Sequence, residues 1–344
     1  MYMKIVVRGA NWIGDSVMTI PALKRLRRRF PDASIYLHTR SWAEGVFRNA
    51  DFLDGIIPID QSGSKVGNVL AQARELKRYD FDSCYLFPNS FESALVAKLA
   101  GIRERIGYST ERRGLFLTSA VPVPFWKTER HESEYYLNLI GPAAKIEDSS
   151  GTNFPLLTIS DERRDKASDL LKSLGAESSA PVIALGPGST NSLAKRWPAE
   201  SFASVSSKLY GSPGANVVLL GSNDDSAVAA RLVELTPAPV IDLTGKTDLA
   251  TATAVLSLAD LFISNDMGLA HIAAATGTPT IVLFGPTNEL TTHPLGPHVE
   301  IIREPVECSP CMLRSCPIDH RCMTRITPER VFESAVKMLE TQPR

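Results

Sequence analysis

The chain has 344 residues, with 37 Lys and Arg against 38 Asp and Glu, a formal net charge of −1, 44% hydrophobic residues and 22% charged residues. This composition excludes a disordered chain, and the length suits about two domains; balanced charge argues against a dedicated nucleic-acid binder. No apolar run approaches the roughly 18 residues that cross a bilayer, and the start meets Arg8 and Asp15 too early for a signal peptide, so a cytoplasmic protein is expected.

The first half alternates strand-like and helix-like segments. Lys4 to Arg8 reads as a strand ending at Gly9. Val17, Ile20, Leu23 and Leu26 form the i, i+3 stripe of an amphipathic helix over about 16–30. Strands at 34–39 and 55–59, a helix at 66–78, a strand at 82–87, a helix at 91–99 and a strand at 105–108 follow. A polar stretch, 147–153, precedes a helix at 162–174. Strands are then predicted at 182–185, 217–220, 240–243, 261–264 and 280–284. Helices at 199–210, 226–235, 249–258 and 269–275 separate them. Thr327-Pro328 opens a last helix, an N-cap followed by proline at the first helical position.

Strands alternating with helices of this length make βαβ units and parallel sheets. The chain therefore reads as two doubly wound α/β domains, 1–170 and 171–326, with a closing helix, 327–344, expected to pack back on the first domain. In such sheets ligands bind beyond the carboxyl ends of the strands, and two sheets facing each other would leave a cleft for chemistry.

The first strand runs into Gly9-Ala-Asn-Trp-Ile-Gly14-Asp15-Ser16. The spacing is that of a P-loop, but Asp15 stands where the phosphate-binding lysine belongs, which disfavours NTP hydrolysis. The turn is not GxGxxG either, so the dinucleotide fingerprint of an NAD-dependent oxidoreductase fails. A carboxylate here serves either as a helix cap or, exposed to a ligand, as a general base. Lys24, Arg25, Arg27, Arg28 and Arg29 give the next helix a basic face, and Arg103, Arg105, Arg112, Arg113, Lys127 and Arg130 add to it. That face suits either solvent or an anionic partner, acidic lipid headgroups included.

In the second half, 182–185 leads into Gly186-Pro-Gly188-Ser189-Thr190 and then Lys195-Arg196-Trp197-Pro198. These supply close backbone approach, two hydroxyls and a cation for a phosphate, although glycine and hydroxyl residues after a strand are also ordinary turn chemistry. In Ser264-Asn265-Asp266-Met267-Gly268-Leu269-Ala270-His271 a buried strand turns directly into a helix, whose first N–H groups favour a diphosphate. His271 on the first turns suits the same anion, against the plainer reading of a satisfied core histidine. Phe284-Gly285-Pro286-Thr287 makes another small-residue turn on that rim.

Together, Gly14-Asp15-Ser16 with Thr19-Ile20-Pro21-Ala22-Leu23, Lys195-Arg196-Trp197-Pro198, Asn265 to Gly268 with His271, and Leu283 to Thr287 resemble glycosyltransferase family 9, the ADP-heptose:lipopolysaccharide heptosyltransferases. The cysteine-rich tail from Cys308 to Met323 looks most like members that add the second heptose of the inner core. The resemblance implies a GT-B architecture of two facing Rossmann-like domains, acceptor on the first and ADP-heptose on the second. It also implies an inverting transfer with no catalytic metal and no cofactor. Carried over residue by residue, Asp15 would deprotonate the acceptor hydroxyl. Lys195, with Ser189 and Thr190, would bind the diphosphate and stabilise the leaving ADP. Asp266 would hold sugar hydroxyls, and Met267 and Gly268 backbone with His271 would meet the phosphates. Family members often carry Thr or Ser at the place of Met267, so only a backbone contact carries over there. Arg8, Asn11 and Arg40 are candidates for the anionic lipopolysaccharide acceptor, with peripheral contact on the cytoplasmic face of the inner membrane. Asn223, Asp224 and Asp225 compete for the adenosine ribose.

Cys308, Cys311, Cys316 and Cys322 have the spacing C-x2-C-x4-C-x5-C, whose second pair is too wide for a standard zinc ribbon. Reduced thiols are expected, with a structural zinc or a disulfide as the alternatives. Other readings of the whole chain are the heptosyltransferase that adds the first heptose, another GT-B transferase or epimerase using a different nucleotide sugar, and a nucleotide-sugar binding protein without catalysis. Asp15 and Lys195 together argue against the last, because binding alone needs no base.

Overall fold

The computed structural model describes residues 3–59, 63–141, 154–190 and 192–341. The chain forms two compact units, Met1–Pro155 and Leu156–Arg344. The first is built on six parallel strands: β1 (Lys4–Arg8), β2 (Ser34–Arg40), β3 (Gly55–Ile59), β4 (Ser83–Leu86), β5 (Glu104–Tyr108) and β6 (Ser119–Val121). Their spatial order is β3-β2-β1-β4-β5-β6. The second unit has β7 (Val182–Gly186), β8 (Asn216–Leu219), β9 (Val240–Asp242), β10 (Leu261–Asn265), β11 (Thr280–Phe284) and β12 (Val299–Arg303), also parallel. Their order is β12-β11-β10-β7-β8-β9. Read from the other edge, this is the same doubly wound order. The chain reverses direction across the sheet between β1 and β4 in one unit and between β7 and β10 in the other. Ligands in such sheets bind at that reversal, which is where Gly9–Asp15, Gly188–Lys195 and Asp266 leave their strands.

Helices cover both faces because parallel strands are apolar on both sides. In the first unit Val6, Cys84 and Leu86 pack with Ala73, Leu76, Ala94 and Ala97 from the helices Lys65–Tyr79 and Phe91–Leu99. The helix Ile20–Arg29 starts with Pro21 in its first turn and buries Ile20, Leu23 and Leu26, the predicted stripe. Its basic residues also reach neighbouring segments. Arg25 donates to the Leu137 carbonyl at 3.5 Å, and Arg29 to that of Ile140, both in the helix Glu132–Ile140. Arg27 bonds the carbonyls of Phe52 and Ala33 and pairs with Asp54, while Lys24 lies over the Phe52 ring. These cations hold neighbouring segments, while Arg28 and Arg29 remain exposed on this face. Arg103, Lys127 and Arg130 likewise pair with Asp82, Glu132 and Glu134.

The second unit begins earlier than the sequence suggested. Leu157 N donates to the Ala275 carbonyl at 2.8 Å. Arg163, on the helix Asp161–Ser173, donates to the Ala250 carbonyl at 2.8 Å. Residues 156–170 therefore belong with the second sheet. The closing helix, Pro328–Thr341, buries Val331 and Ala335 in the second unit's core and packs on the helix Ala199–Gly211, where the sequence reading placed it on the first domain. Its stripe Val331, Phe332, Ala335 and Met338 matches the apolar surface around Trp197. That indole is buried, meets Phe202 edge-on at 4.9 Å and donates from Nε1 to the Ile326 carbonyl at 2.9 Å. The polar junction 147–153 lies outside the described residues. No helix among the described residues is long and apolar enough to cross a membrane.

Candidate active site

In the first unit, β1 ends at Gly9, whose amide donates to the His38 carbonyl at 2.9 Å. A side chain at Gly9 would crowd Thr39, so glycine lets the turn lie flat against β2. The chain then enters the short helix Ile13–Met18. Trp12 occupies the N-cap position, and Asp15 sits third in the first turn, half-buried, where the helix dipole favours a negative charge. The carboxylate acts electrostatically on the buried Tyr136 phenol, which burial, foremost, holds well above its ordinary pKa. Asp15 is thus a first-turn acid at the strand-end turn rather than the cap residue. Asn11 is exposed beside it, Arg8 is buried at the end of β1, and Arg40 is half-buried at the end of β2.

The second unit brings its predicted residues together more tightly. Lys195 Nζ lies 2.7 Å from Asp266 Oδ2, and Thr287 Oγ1 donates to the same oxygen at 2.7 Å. Three separate turns, after β7, β10 and β11, therefore meet at one buried carboxylate. Asp266 Oδ1 has no hydrogen bond among the described residues. An ammonium has three donors, so Lys195 can balance Asp266 and still present two N–H groups to a phosphate. Behind it, Asn265 ties the turns together. Its Oδ1 accepts from Trp197 N at 2.9 Å, and its Nδ2 donates to the carbonyls of Pro187 at 2.8 Å and Gly188 at 3.1 Å.

The helix Gly268–Ala275 starts at once after Asp266, with Met267 at the N-cap and no side-chain capping bond. Its first amides are thereby available to an anion. Ala270, Ala273 and Ala274 are buried against the sheet, and His271 is buried on the same helix. Ser189 is buried, its N–H bonded to Asp225 Oδ1 at 3.2 Å and its carbonyl accepting from Arg196 at 3.4 Å. Thr190 beside it is exposed. Gly186 has no room for a side chain, since Met267 and Phe262 occupy that space.

Of the three candidates around residue 224, the structure gives Asp225 bonds within the protein. Asp225 is 1% exposed. Its Oδ2 accepts from the N–H and hydroxyl of Ser222 at 3.0 and 2.8 Å, and its Oδ1 from Arg196 at 3.1 Å. Ser222 and Asp225 form a capping box, and Gly188 is glycine because a Cβ there would overlap the Asp225 carboxyl. Asp225 thus locks the loop after β7 to the loop after β8, while Asn223 and Asp224 remain exposed. The S-x-x-D spacing carried that signal in the sequence. Thr287 and Asn265 had no such local signal, because their partners lie 21 and 68 or more residues away.

Cys308 is exposed, Cys311 and Cys316 half-buried and Cys322 buried, all as free thiols. Burial, and then the other three thiols, push Cys322 above the ordinary thiol pKa. No group of three or more His, Cys, Asp or Glu among the described residues is disposed to hold a metal ion.

Two doubly wound units of this strand order have the GT-B architecture of glycosyltransferases, and comparison with known proteins gives the class. A solved structure of the Escherichia coli ADP-heptose lipopolysaccharide heptosyltransferase II superposes with a TM-score of 0.84 at 27% identity, over 98% of this chain and 99% of that one. The glycosyltransferase family 9 protein of Veillonella parvula shares the fold, with a TM-score of 0.88, 24% identity, and coverage of 99% and 98%. In sequence, the Salmonella typhimurium lipopolysaccharide heptosyltransferase 2 is 28% identical over 351 residues, 99% of both chains. The model for glycosyltransferase family 9 (heptosyltransferase) matches residues 69–321, and the chain belongs to that family.

Proposed function

We propose that the protein transfers heptose from ADP-heptose to the first heptose of the lipopolysaccharide inner core, the reaction of heptosyltransferase II, by an inverting, metal-independent mechanism. The observation that carries the reading is the convergence of Lys195, Asp266 and Thr287 at the start of the helix Gly268–Ala275. It combines a fixed cation, an acid able to accept from sugar hydroxyls, and unbonded helix amides within one turn of each other. The full-length likeness to lipopolysaccharide heptosyltransferase 2 supports the choice of donor and acceptor.

In this reading Asp15 takes the proton of the acceptor hydroxyl as its oxygen attacks the anomeric carbon of the donor. The attack comes from the face opposite ADP, and the bond from that carbon to the β-phosphate oxygen breaks with its electron pair leaving on ADP. The developing phosphate charge is met by Lys195, by Thr190 and by the amides at Met267 and Gly268, with His271 beside them. Such fixed donors act most strongly where charge develops. Lys195 supplies the positive charge that a divalent cation supplies in metal-dependent transferases. Arg8, Asn11 and Arg40 would meet the anionic acceptor, which is presented at the cytoplasmic face of the inner membrane.

The test is transfer from ADP-heptose to lipopolysaccharide truncated after its first heptose, measured with and without EDTA, with the anomeric configuration of the product read by NMR. Equal rates and an inverted linkage are expected. A rate abolished by EDTA and restored by a divalent cation, or a retained configuration, would contradict the mechanism.

A further inference from the structure

We infer that the cysteine-rich segment 307–323 braces the proposed donor site, and that His320 is a positioning residue that fixes the Lys195 ammonium beside Asp266. The expected effect on ADP rests on the reading of Lys195 as the cation for the donor diphosphate; the placement of Lys195 does not.

Lys195 closes the single 3₁₀ turn Leu193–Lys195 in the chain that leaves β7. Such a turn has poor hydrogen-bond geometry of its own. Its internal bonds are long, from Lys195 N to the Ser192 carbonyl at 3.3 Å and from Arg196 N to the Leu193 carbonyl at 3.1 Å. Shorter bonds come from outside. Ala194, immediately before the lysine, donates from its N–H to the Arg314 carbonyl at 3.0 Å. The Ala194 carbonyl in turn lies 2.6 Å from His320 Nε2. A carbonyl only accepts, so Nε2 carries the proton. That carbonyl shares one rigid peptide plane with Lys195 N, so the bond fixes the plane from which the lysine stem departs. Trp197 is anchored separately, by Asn265 Oδ1 at 2.9 Å. Loss of the His320 bond therefore frees the turn at Lys195 without unseating the core.

The same segment grips a second turn of the site. Ser309 Oγ donates to the Gly285 carbonyl at 2.6 Å, and Met312 N to the Pro286 carbonyl at 2.8 Å. A Cβ at Gly285 would overlap Met323 and crowd Cys322. The next residue is Thr287, which donates to Asp266 Oδ2. The segment thus holds the residues directly before Lys195 and directly before Thr287, two of the three groups that converge at Asp266. Its ends are drawn together by Arg321, which pairs with Asp319 at 2.9 Å and with Glu307 at 3.4 Å. His320 itself has φ 58°, a left-handed backbone that few residues other than glycine adopt without strain. Glycine would suit that backbone but could not reach Ala194. Strain kept for the sake of a side chain marks a residue with a task.

The test uses the full chain and two readouts. Labelling with acetic anhydride, read by mass spectrometry, reports how firmly Lys195 is held with no ligand present, and calorimetry reports ADP affinity. His320→Asn tolerates the left-handed backbone but is too short to reach Ala194. It is expected to speed acetylation of Lys195 about fivefold and to weaken ADP about tenfold, the order of one lost hydrogen bond. Lys208, paired with Glu329 on another helix, is the internal reference and should label as before. His320→Gln places an N–H at about the reach of the imidazole and should restore both readouts to within about twofold of wild type. In a Lys195→Ala background, His320→Asn should weaken ADP by no more than about a further twofold, because its effect passes through the lysine. A merely structural residue would repeat its full cost there. Unfolding temperature checks that each variant is folded, and His320→Gly is the second loss variant, with the same faster labelling expected. Wild-type labelling of Lys195 in both loss variants, or an undiminished loss in the Lys195→Ala background, would overturn the brace. A wild-type protein that binds no ADP would remove the proposed function, and the labelling of Lys195 would still decide the role of His320.

Discussion

Replacing Asp15 with Ala or Asn is expected to lower the transfer rate by at least about 10²-fold, and toward 10⁴-fold if base catalysis limits the step. The affinity for ADP-heptose should stay within about twofold of wild type, since the donor contacts proposed here all lie on the other sheet. The two substitutions separate two roles. Asn keeps the size and hydrogen-bonding capacity of the side chain but cannot take a proton, so a positioning role would survive Asp15→Asn and a base would not. The measurement is kcat under saturating donor and acceptor, alongside calorimetric titration of ADP-heptose. Wild-type-like turnover in Asp15→Asn would remove Asp15 as the base.

Lys195→Ala is expected to act differently, because the lysine touches both the protein and the proposed leaving group. Losing one preorganised donor to a developing charge costs about 10²–10³ in rate, and ADP affinity should fall with it. The substitution also strips the cation from Asp266 Oδ2, leaving a buried carboxylate held by Thr287 alone. Such a group is costly to leave unpaired, so the unfolding temperature should drop as well. A double-mutant cycle with Asp266→Asn separates the effects. In the double variant the stability loss should be smaller than the sum of the single losses, because no unpaired carboxylate remains, whereas the rate should not recover. Recovery of rate in the double variant would mean that Lys195 serves only to balance Asp266.

The architecture was legible because parallel strands buried on both faces appear as short runs of Val, Ile and Leu between turn residues. All five strands that the sequence suggested in each unit are present. The edges escaped. β6 is three residues, exposed or half-buried along its length, and β12 carries Glu300 and Arg303 among its apolar residues. Neither makes a run that reads as buried. The helix Glu132–Ile140 opens on His131, whose ring accepts from Ser133 N, a cap outside the usual Ser, Thr, Asp and Asn set.

Within the site, the residues that leave strand ends were readable because their motifs, each ordinary turn chemistry alone, together resemble one family in chain order. What they bond to was not. Lys195 with Asp266, Asp266 with Thr287, and Asp225 with Arg196 join turns that only the sheet order brings together. The same limit hid the partners of the basic helix Ile20–Arg29. A string of arginines looks like a solvated or ligand-facing surface until the carbonyl ends of Phe52, Leu137 and Ile140 arrive beside it. Positive charge at the first sheet's carboxyl edge comes instead from Arg8 and Arg40, two residues that stand alone in the sequence.

The identity of donor and acceptor is read by presenting purified protein with lipopolysaccharide truncated after the first heptose and with equal concentrations of ADP-heptose and a UDP-sugar, then weighing the product by mass spectrometry. A mass increase of a single heptose is expected, absent when the acceptor lacks its first heptose. Transfer from the UDP-sugar, or heptose added to an acceptor that carries none, would contradict it.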